Sequence, residues 1–284
     1  VLSQKTGGRR WLITGISSGI GAALADAAFR RGDSVIGMSR DGEALSRFEA
    51  QAPGRALGLQ LDMADSAQVE AIAERMDDIG PVDILVNNAG QSLFGAFEEV
   101  SVAEARALFD VNLFGPWALT RALLPHFRAQ GKGTIVQISS GCGLSGTPGL
   151  SAYCASKFAL EGLTETLAQE VTAFGIRTML VEPGAIATRF ISHGTRDAGV
   201  RIPAYDFLSG QGRRRWKAIM PRPPARPNGW PTPSWRRSIK INSRCACWSA
   251  TICAILSGKR RRRSRLWPTP EISRRQDDLA ALPA

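Results

Sequence analysis

A serine, a tyrosine and a lysine stand at Ser140, Tyr153 and Lys157 within the stretch SSGCGLSGTPGLSAYCASK, residues 139–157. The interval of four between the tyrosine and the lysine puts both side chains on one face of a helix. An ammonium held there favours the phenolate and lowers a phenol pKa that is ordinarily near ~10. A phenol tuned in this way exchanges a proton with an alcohol or a carbonyl near neutral pH. A serine hydroxyl beside it can donate to the same oxygen and fix its position. Ser139 and Cys142 read as neighbours of this group and Cys154 as a small packing residue. Alone, Y-x-x-x-K is a weak signal; its weight comes from the elements that must position it.

Those elements follow from the apolar pattern. Trp11–Thr14 reads as a buried strand, and Gly15-Ile-Ser17-Ser18-Gly19-Ile20-Gly21 turns it into a helix that closes at Gly32. Strand, glycine turn and helix N-terminus make an anion site, with free N–H groups facing a phosphate. Ser34–Met38 is a second strand, followed by Ser39 and Arg40. An acidic side chain there would bind ribose hydroxyls, whereas a guanidinium suits a phosphate. Further strands are expected at Ala56–Leu61, Val82–Val86, Thr134–Ile138 and Arg177–Val181. They run into Asp62, Asn87-Asn88-Ala89-Gly90, Ser139-Ser140 and Glu182-Pro183-Gly184. Helices are expected over 66–78, over 101–131 with Asn112 inside and Pro116 bending it, and from 151 to about Phe174. This alternation predicts an α/β fold: a doubly wound parallel sheet in three α/β/α layers, with right-handed crossovers.

With 284 residues and 44% hydrophobic content the chain can bury one large core or two small ones. It has no run of eighteen apolar residues, so no membrane span is expected, and its first residues lack a signal-peptide pattern. Five cysteines without framework spacing point to a reduced, cytoplasmic setting. His126 and His193 are isolated, so no metal site is expected.

At this point the chain closely resembles the short-chain dehydrogenase/reductase family. The matching motifs are T-G-x-x-x-G-I-G (Thr14–Gly21), N-N-A-G (Asn87–Gly90), I-S-S (Ile138–Ser140), Y-x-x-x-K (Tyr153–Lys157) and P-G-x-x-x-T (Pro183–Thr188). They stand in family order over residues 9–212, and the 153–171 stretch is similar to the hydroxysteroid and retinol dehydrogenase branch. The resemblance implies a Rossmann-type domain that transfers hydride between NAD(H) or NADP(H) and a secondary alcohol or ketone of apolar character. It implies Tyr153 as general acid/base, Lys157 as the group that lowers its pKa and holds the nicotinamide ribose, and Ser140 as the substrate-oxygen donor. Asn112 would hold a water in the proton relay. Gly15, Ser17, Ser18, Gly19, Ile20 and Gly21 would pack on the pyrophosphate, Asp62 would meet the adenine, and Asn88, Ala89 and Gly90 would flank the cofactor. Pro183, Gly184 and Thr188 would contact its nicotinamide end. Ser39 with Arg40 favours NADP(H) over NAD(H). A homodimer through helices 102–130 and 151–174 is expected, with a small-molecule substrate and neither membrane nor nucleic acid as partner.

The last quarter differs in kind. Residues 1–212 hold 18 Lys+Arg against 22 Asp+Glu, a net −4, and residues 213–284 hold 18 against 3, a net +15. Nine of the sixteen prolines and five of the seven tryptophans fall in that basic segment. It reads in two ways. As a selected segment it would bind anions such as nucleic acid, which would make the protein a nucleotide-binding regulator. As a frameshift across 217–270 it would replace a family-like helix and strand, and one allowed back-translation read one base earlier restores both. The frameshift is preferred, because the charge jump comes with a joint rise in proline and tryptophan and the alternative frame restores helix and strand periodicity. The enzyme is preferred to the regulator, because a regulator needs the glycine turn but not Ser140, Tyr153 and Lys157 together.

Overall fold

Five consecutive buried residues, Arg10–Thr14, form β1, the strand beside which the rest of the sheet is laid down. The computed structural model describes residues 8–184, 190 and 194–210. After β1 come α1 (Gly19–Arg30), β2 (Ser34–Ser39), α2 (Gly42–Gln51), β3 (Ala56–Gln60), α3 (Ser66–Glu70), α4 (Met76–Ile79) and β4 (Ile84–Asn87). The chain continues through β5 (Ser92–Phe94), α5 (Val102–Phe109), α6 (Gly115–Ala129), β6 (Gly133–Ile138), α7 (Ser151–Val171), β7 (Ile176–Val181) and β8 (Thr195–Asp197). Six strands pair in the order β3-β2-β1-β4-β6-β7, all parallel, while β5 and β8 form a separate short pair.

Alternate residues of β1 feed opposite faces, as a strand buried on both sides requires. Leu12 packs with Val69, Leu119, Leu123, Phe127 and Leu167, from α3, α6 and α7. Trp11 and Ile13 pack with Leu24 and Ala28 of α1 and with Leu45 and Phe48 of α2. The result is the expected three-layer α/β/α arrangement. The chain walks from β1 outward to β3 and then returns to β4 on the other side. Connections therefore diverge above the ends of β1 and β4, which opens a crevice between them.

Three elements differ from the sequence expectation. The helix over 66–78 is broken into α3, a tight turn at Ala73–Arg75, and α4. There the amides of Ile72 and Arg75 bond three residues back, to Val69 and Ile72, yet Val69, Ile72, Met76 and Ile79 all stay buried. The fourth sheet strand begins at Ile84 rather than Val82. The long helix over 101–131 is interrupted by one turn of π-helix at Asp110–Phe114. Pro116 has no N–H to offer the carbonyl of Asn112, and the chain opens to the wider turn just before it. Thr188 lies outside the described residues, as does the whole basic segment with its reading as a frameshift.

The start of β1 is pinned from the side. Asp33 accepts the Trp11 indole N–H at 2.9 Å and the Arg9 amide at 2.9 Å. Removing the carboxylate orphans a fully buried indole N–H. Asp33→Ala is expected to lower the unfolding free energy by about 2 kcal/mol in urea denaturation, and Asp33→Asn, which keeps an acceptor, by less.

Candidate active site

The crevice above β1 and β4 is floored by bare backbone. Gly15 follows β1 with φ +71°, and a Cβ on it would meet the Ala89 Cα at 3.0 Å. A side chain is excluded there twice over, by conformation and by space. Helix α1 then starts at Gly19 with no side-chain cap from Ser18 and no acidic residue in its first turn. Its unpaired N–H groups and the positive end of its dipole remain for an anion. These features fit the pyrophosphate of a dinucleotide. Gly21 is the exception: a Cβ there would strike the Gly15 carbonyl oxygen and meet Asn88 Nδ2 at 2.6 Å. It makes room for packing behind the turn and does not line the cleft.

The loop after β4 is locked to this turn. Thr14 Oγ1 accepts the amides of Asn88 and Ala89, each at 2.9 Å. Asn88 Nδ2 donates to the carbonyls of Thr14 at 2.8 Å and Gly15 at 3.0 Å. Asn88 thus lines the cleft while holding its floor in shape.

Helix α7 carries the other end. Lys157 is buried, and its Nζ donates to the carbonyl of Ile138, the last residue of β6, at 2.8 Å. Burial drags its pKa down from 10.5 to about 8, against the opposing charge of Glu161. Tyr153, one turn earlier, is 8% exposed, and its ring stands 6.0 Å from that of Phe190. Ser140 begins the turn after β6 and accepts the Cys142 amide at 3.1 Å. A cleft of about 680 Å³ joins Ser17, Ser18, Gly19 and Ile20 to Ser140, Tyr153 and Lys157, with Ala89, Gly90, Pro183 and Gly184 along its wall.

Two sequence expectations change here. Burial raises the Tyr153 phenol above its usual range; a hydrogen bond with Ser140 works the other way, and Lys157 is not among the groups that shift it. The spacing of four sets the two groups on one face, and Lys157 Nζ gives one of its hydrogens to the Ile138 carbonyl. Asn112 does not line the cleft either. Fully buried in the π-turn, its Oδ1 accepts the Gln91 amide at 2.8 Å, and its Nδ2 donates to the Gln91 carbonyl at 2.9 Å and to Ser156 Oγ at 3.1 Å. Its side chain is a brace between the β4 loop and α7, with both Nδ2 hydrogens taken up.

At the far end, Ser39, Arg40 and Asp62 line the cleft as expected. Arg40 lies 3.8 Å from Asp62, both well exposed. Arg47 of α2 also faces this end, and sequence reasoning missed it. Its signal was its place on the first helix after the Ser39-Arg40 loop. Phe190, Gly194 and Arg196 were missed as well, since nothing in their spacing marks them.

The family model for short chain dehydrogenase matches residues 9–198. The chain belongs to the short-chain dehydrogenase/reductase family, a family of oxidoreductases. It is 41% identical over 180 residues to the oxidoreductase BOA17 of Botryotinia fuckeliana (63% of this chain, 66% of that one). It is 43% identical over 188 residues to human retinol dehydrogenase 8 (64% and 60%). The chain thus spans just under two thirds of the length of these two relatives. A short-chain dehydrogenase from Streptomyces avermitilis superposes with TM-score 0.70 at 42% identity, covering 77% of this chain and 80% of the other. A metagenomic short-chain oxidoreductase solved with NADP gives TM-score 0.60 at 38% identity, over 63% and 84%.

The buried lysine has a cost that can be measured. Its folded pKa lies below its unfolded one, so the unfolded chain binds the extra proton between pH 8 and 10.5. Lys157 therefore weakens the cofactor-free fold below pH 8, and the penalty fades as pH rises through that window. Lys157→Met is expected to raise the unfolding free energy at pH 7 by on the order of 3 kcal/mol. The gain should shrink towards pH 10.5, and denaturation at several pH values checks both.

Proposed function

We propose that the protein is an oxidoreductase that moves hydride between NADP(H) and a secondary alcohol or ketone of apolar character. Residues 9–212 form its catalytic unit. The observation that carries this reading is the meeting of Ser140, Tyr153 and Lys157 in one cleft with the glycine turn. When bound, the nicotinamide supplies the hydride. Ser140 positions the substrate oxygen, and Tyr153, which burial keeps protonated at neutral pH, donates its proton to a carbonyl there. Lys157, with a pKa of about 8, is poised to pass a proton in from the polar side of the cleft. Asn112 holds the Gln91 loop against α7 so that these groups keep their places. Leu150 and Phe190 beside Tyr153 suit an apolar substrate, in keeping with the names of the human relatives retinol dehydrogenase 8 and 17-beta-hydroxysteroid dehydrogenase type 1.

The choice of NADP(H) rests on Ser39, Arg40 and Arg47 at the adenosine end. Neighbours have been solved with either cofactor, NADP in the metagenomic oxidoreductase and NAD in the Burkholderia phymatum enzyme. We place the protein in the cytoplasm as a homodimer, joined through helices 102–130 and 151–174. Phe114, Trp117 and Phe158 are each about half exposed on that surface, where a second copy would cover them.

Screening ketones and alcohols by NADPH absorbance tests the activity. Tyr153→Phe is expected to lower turnover by ~10²–10⁴-fold, the usual worth of a general acid, with cofactor affinity within a few-fold of wild type. Turnover near wild type would defeat the assignment. Arg40→Ala with Ser39→Asp should move preference towards NADH in kcat/KM, and a wild-type enzyme that already favours NADH would refute the phosphate reading. In sedimentation, Trp117→Glu with Phe158→Glu should turn a dimer into a monomer.

A further inference from the structure

Two thiols stand beside this site, and the proposed chemistry uses neither. Cys142 follows Ser140 by two residues and is half-buried on the cleft wall. Cys154 is buried next to Tyr153 in the first turn of α7. Twelve residues apart in the chain, they close on one residue between them. Cys142 Sγ is 3.6 Å from Thr147 Oγ1, and the Thr147 amide donates to Cys154 Sγ at 3.3 Å. The two side chains also pack in one apolar cluster with Leu150 and Phe94. Burial chiefly pushes the Cys154 thiol up, and a hydrogen bond with Cys142 adds to the effect. In the loop joining them Gly146 faces open space: a Cβ there would meet nothing within 4 Å.

We propose that Cys142 and Cys154 form a dithiol modification site that takes a low-molecular-weight disulfide, such as oxidised glutathione, and closes to a bond between them. The more accessible Cys142 loses its proton and attacks one sulfur of the oxidant, displacing a first glutathione thiolate and leaving a mixed disulfide. Cys154 then loses its proton and attacks the Cys142 sulfur, which expels the second glutathione. The two protons end on the two glutathiones; the protein dithiol is oxidised and the small disulfide reduced. Formation of the bond needs the sulfurs to close to ~2.05 Å. The bond would tie the turn after Ser140 to the residue after Tyr153, bracketing both.

The sequence makes the test clean. No Lys or Arg lies between Lys132 and Lys157, so trypsin leaves both thiols on one peptide, 133–157, apart from Cys245, Cys247 and Cys253. The full chain is incubated with oxidised glutathione, acid-quenched, alkylated and digested. The expected product is peptide 133–157 lighter by two hydrogens and unalkylated, restored by dithiothreitol. It should be lost in Cys142→Ser and in Cys154→Ala. Phenylarsine oxide, which bridges two thiols with release of one water, should be retained on the same peptide of unmodified wild type and released by a dithiol. A lasting glutathione adduct on Cys142 without the internal bond would overturn the proposal. So would arsenical labelling of that peptide that survives Cys142→Ser. Both wild-type measurements stand even if a variant fails to fold, and neither depends on the proposed catalytic activity.

Discussion

The hydrogen bond from Lys157 Nζ to the Ile138 carbonyl is the contact on which the catalytic end depends. It joins α7 to the C-terminal end of β6 across nineteen residues of chain. Ser140 leaves β6 two residues later, so the same bond that seats the lysine sets the distance between Ser140 and Tyr153. An ammonium in a buried position is expensive unless it is paired or loses its proton. Here one carbonyl accepts from it, Glu161 lies a turn further on, and the pKa falls to about 8. The fold holds a group that would be more stable outside, which is the kind of conflict expected at a functional position.

The second anchor is the lock between β1 and β4. In a doubly wound sheet the crevice at the switch point follows from topology, but topology alone leaves its two loops free to move apart. Four hydrogen bonds across the crevice floor remove that freedom: Thr14 Oγ1 accepts from the Asn88 and Ala89 amides, and Asn88 Nδ2 donates to the Thr14 and Gly15 carbonyls. The glycine turn can then stay bare, because its shape is held from behind rather than by side chains of its own. Gly21 belongs to this support: a larger residue would strike Asn88 and unseat the lock. Asn112 does similar work one loop later, through Gln91 and Ser156.

What was legible in the sequence was short in range or strongly patterned. The strands read as apolar runs closed by small or polar residues, so β1, β2, β3 and β6 stand close to where they were expected. Ser140, Tyr153 and Lys157 share one short segment, and their convergence needed only a turn and a helix. The rest depended on tertiary environment. β5 and β8 are three residues each and pair across a hundred residues, so neither carries a period to detect. The break in the helix over 66–78 keeps Val69, Ile72 and Met76 buried, and no pattern of apolar residues reveals it. The ionisation of Tyr153 is the clearest case: spacing to Lys157 predicted a lowered pKa, whereas the depth of burial, which no spacing encodes, raised it.

The end of the cleft proposed to take the adenosine shows how a pair seen in the structure can mislead about purpose. Arg40 and Asp62 stand 3.8 Å apart with side chains 58% and 40% exposed. An ion pair so open to water contributes between nothing and about 1 kcal/mol, too little to hold the guanidinium against a competitor. A phosphate offers two oxygens to the planar fork of an arginine and more charge than a carboxylate. Asp62 therefore parks Arg40 without fixing it, and the residue at the end of β2 becomes the deciding one. With Ser39 there, whose hydroxyl is occupied by the Asp41 amide at 3.1 Å, no fixed negative charge opposes a phosphate from the strand itself. An aspartate at position 39, half-buried at the end of β2, would set a fixed negative charge beside such a phosphate and reverse that balance.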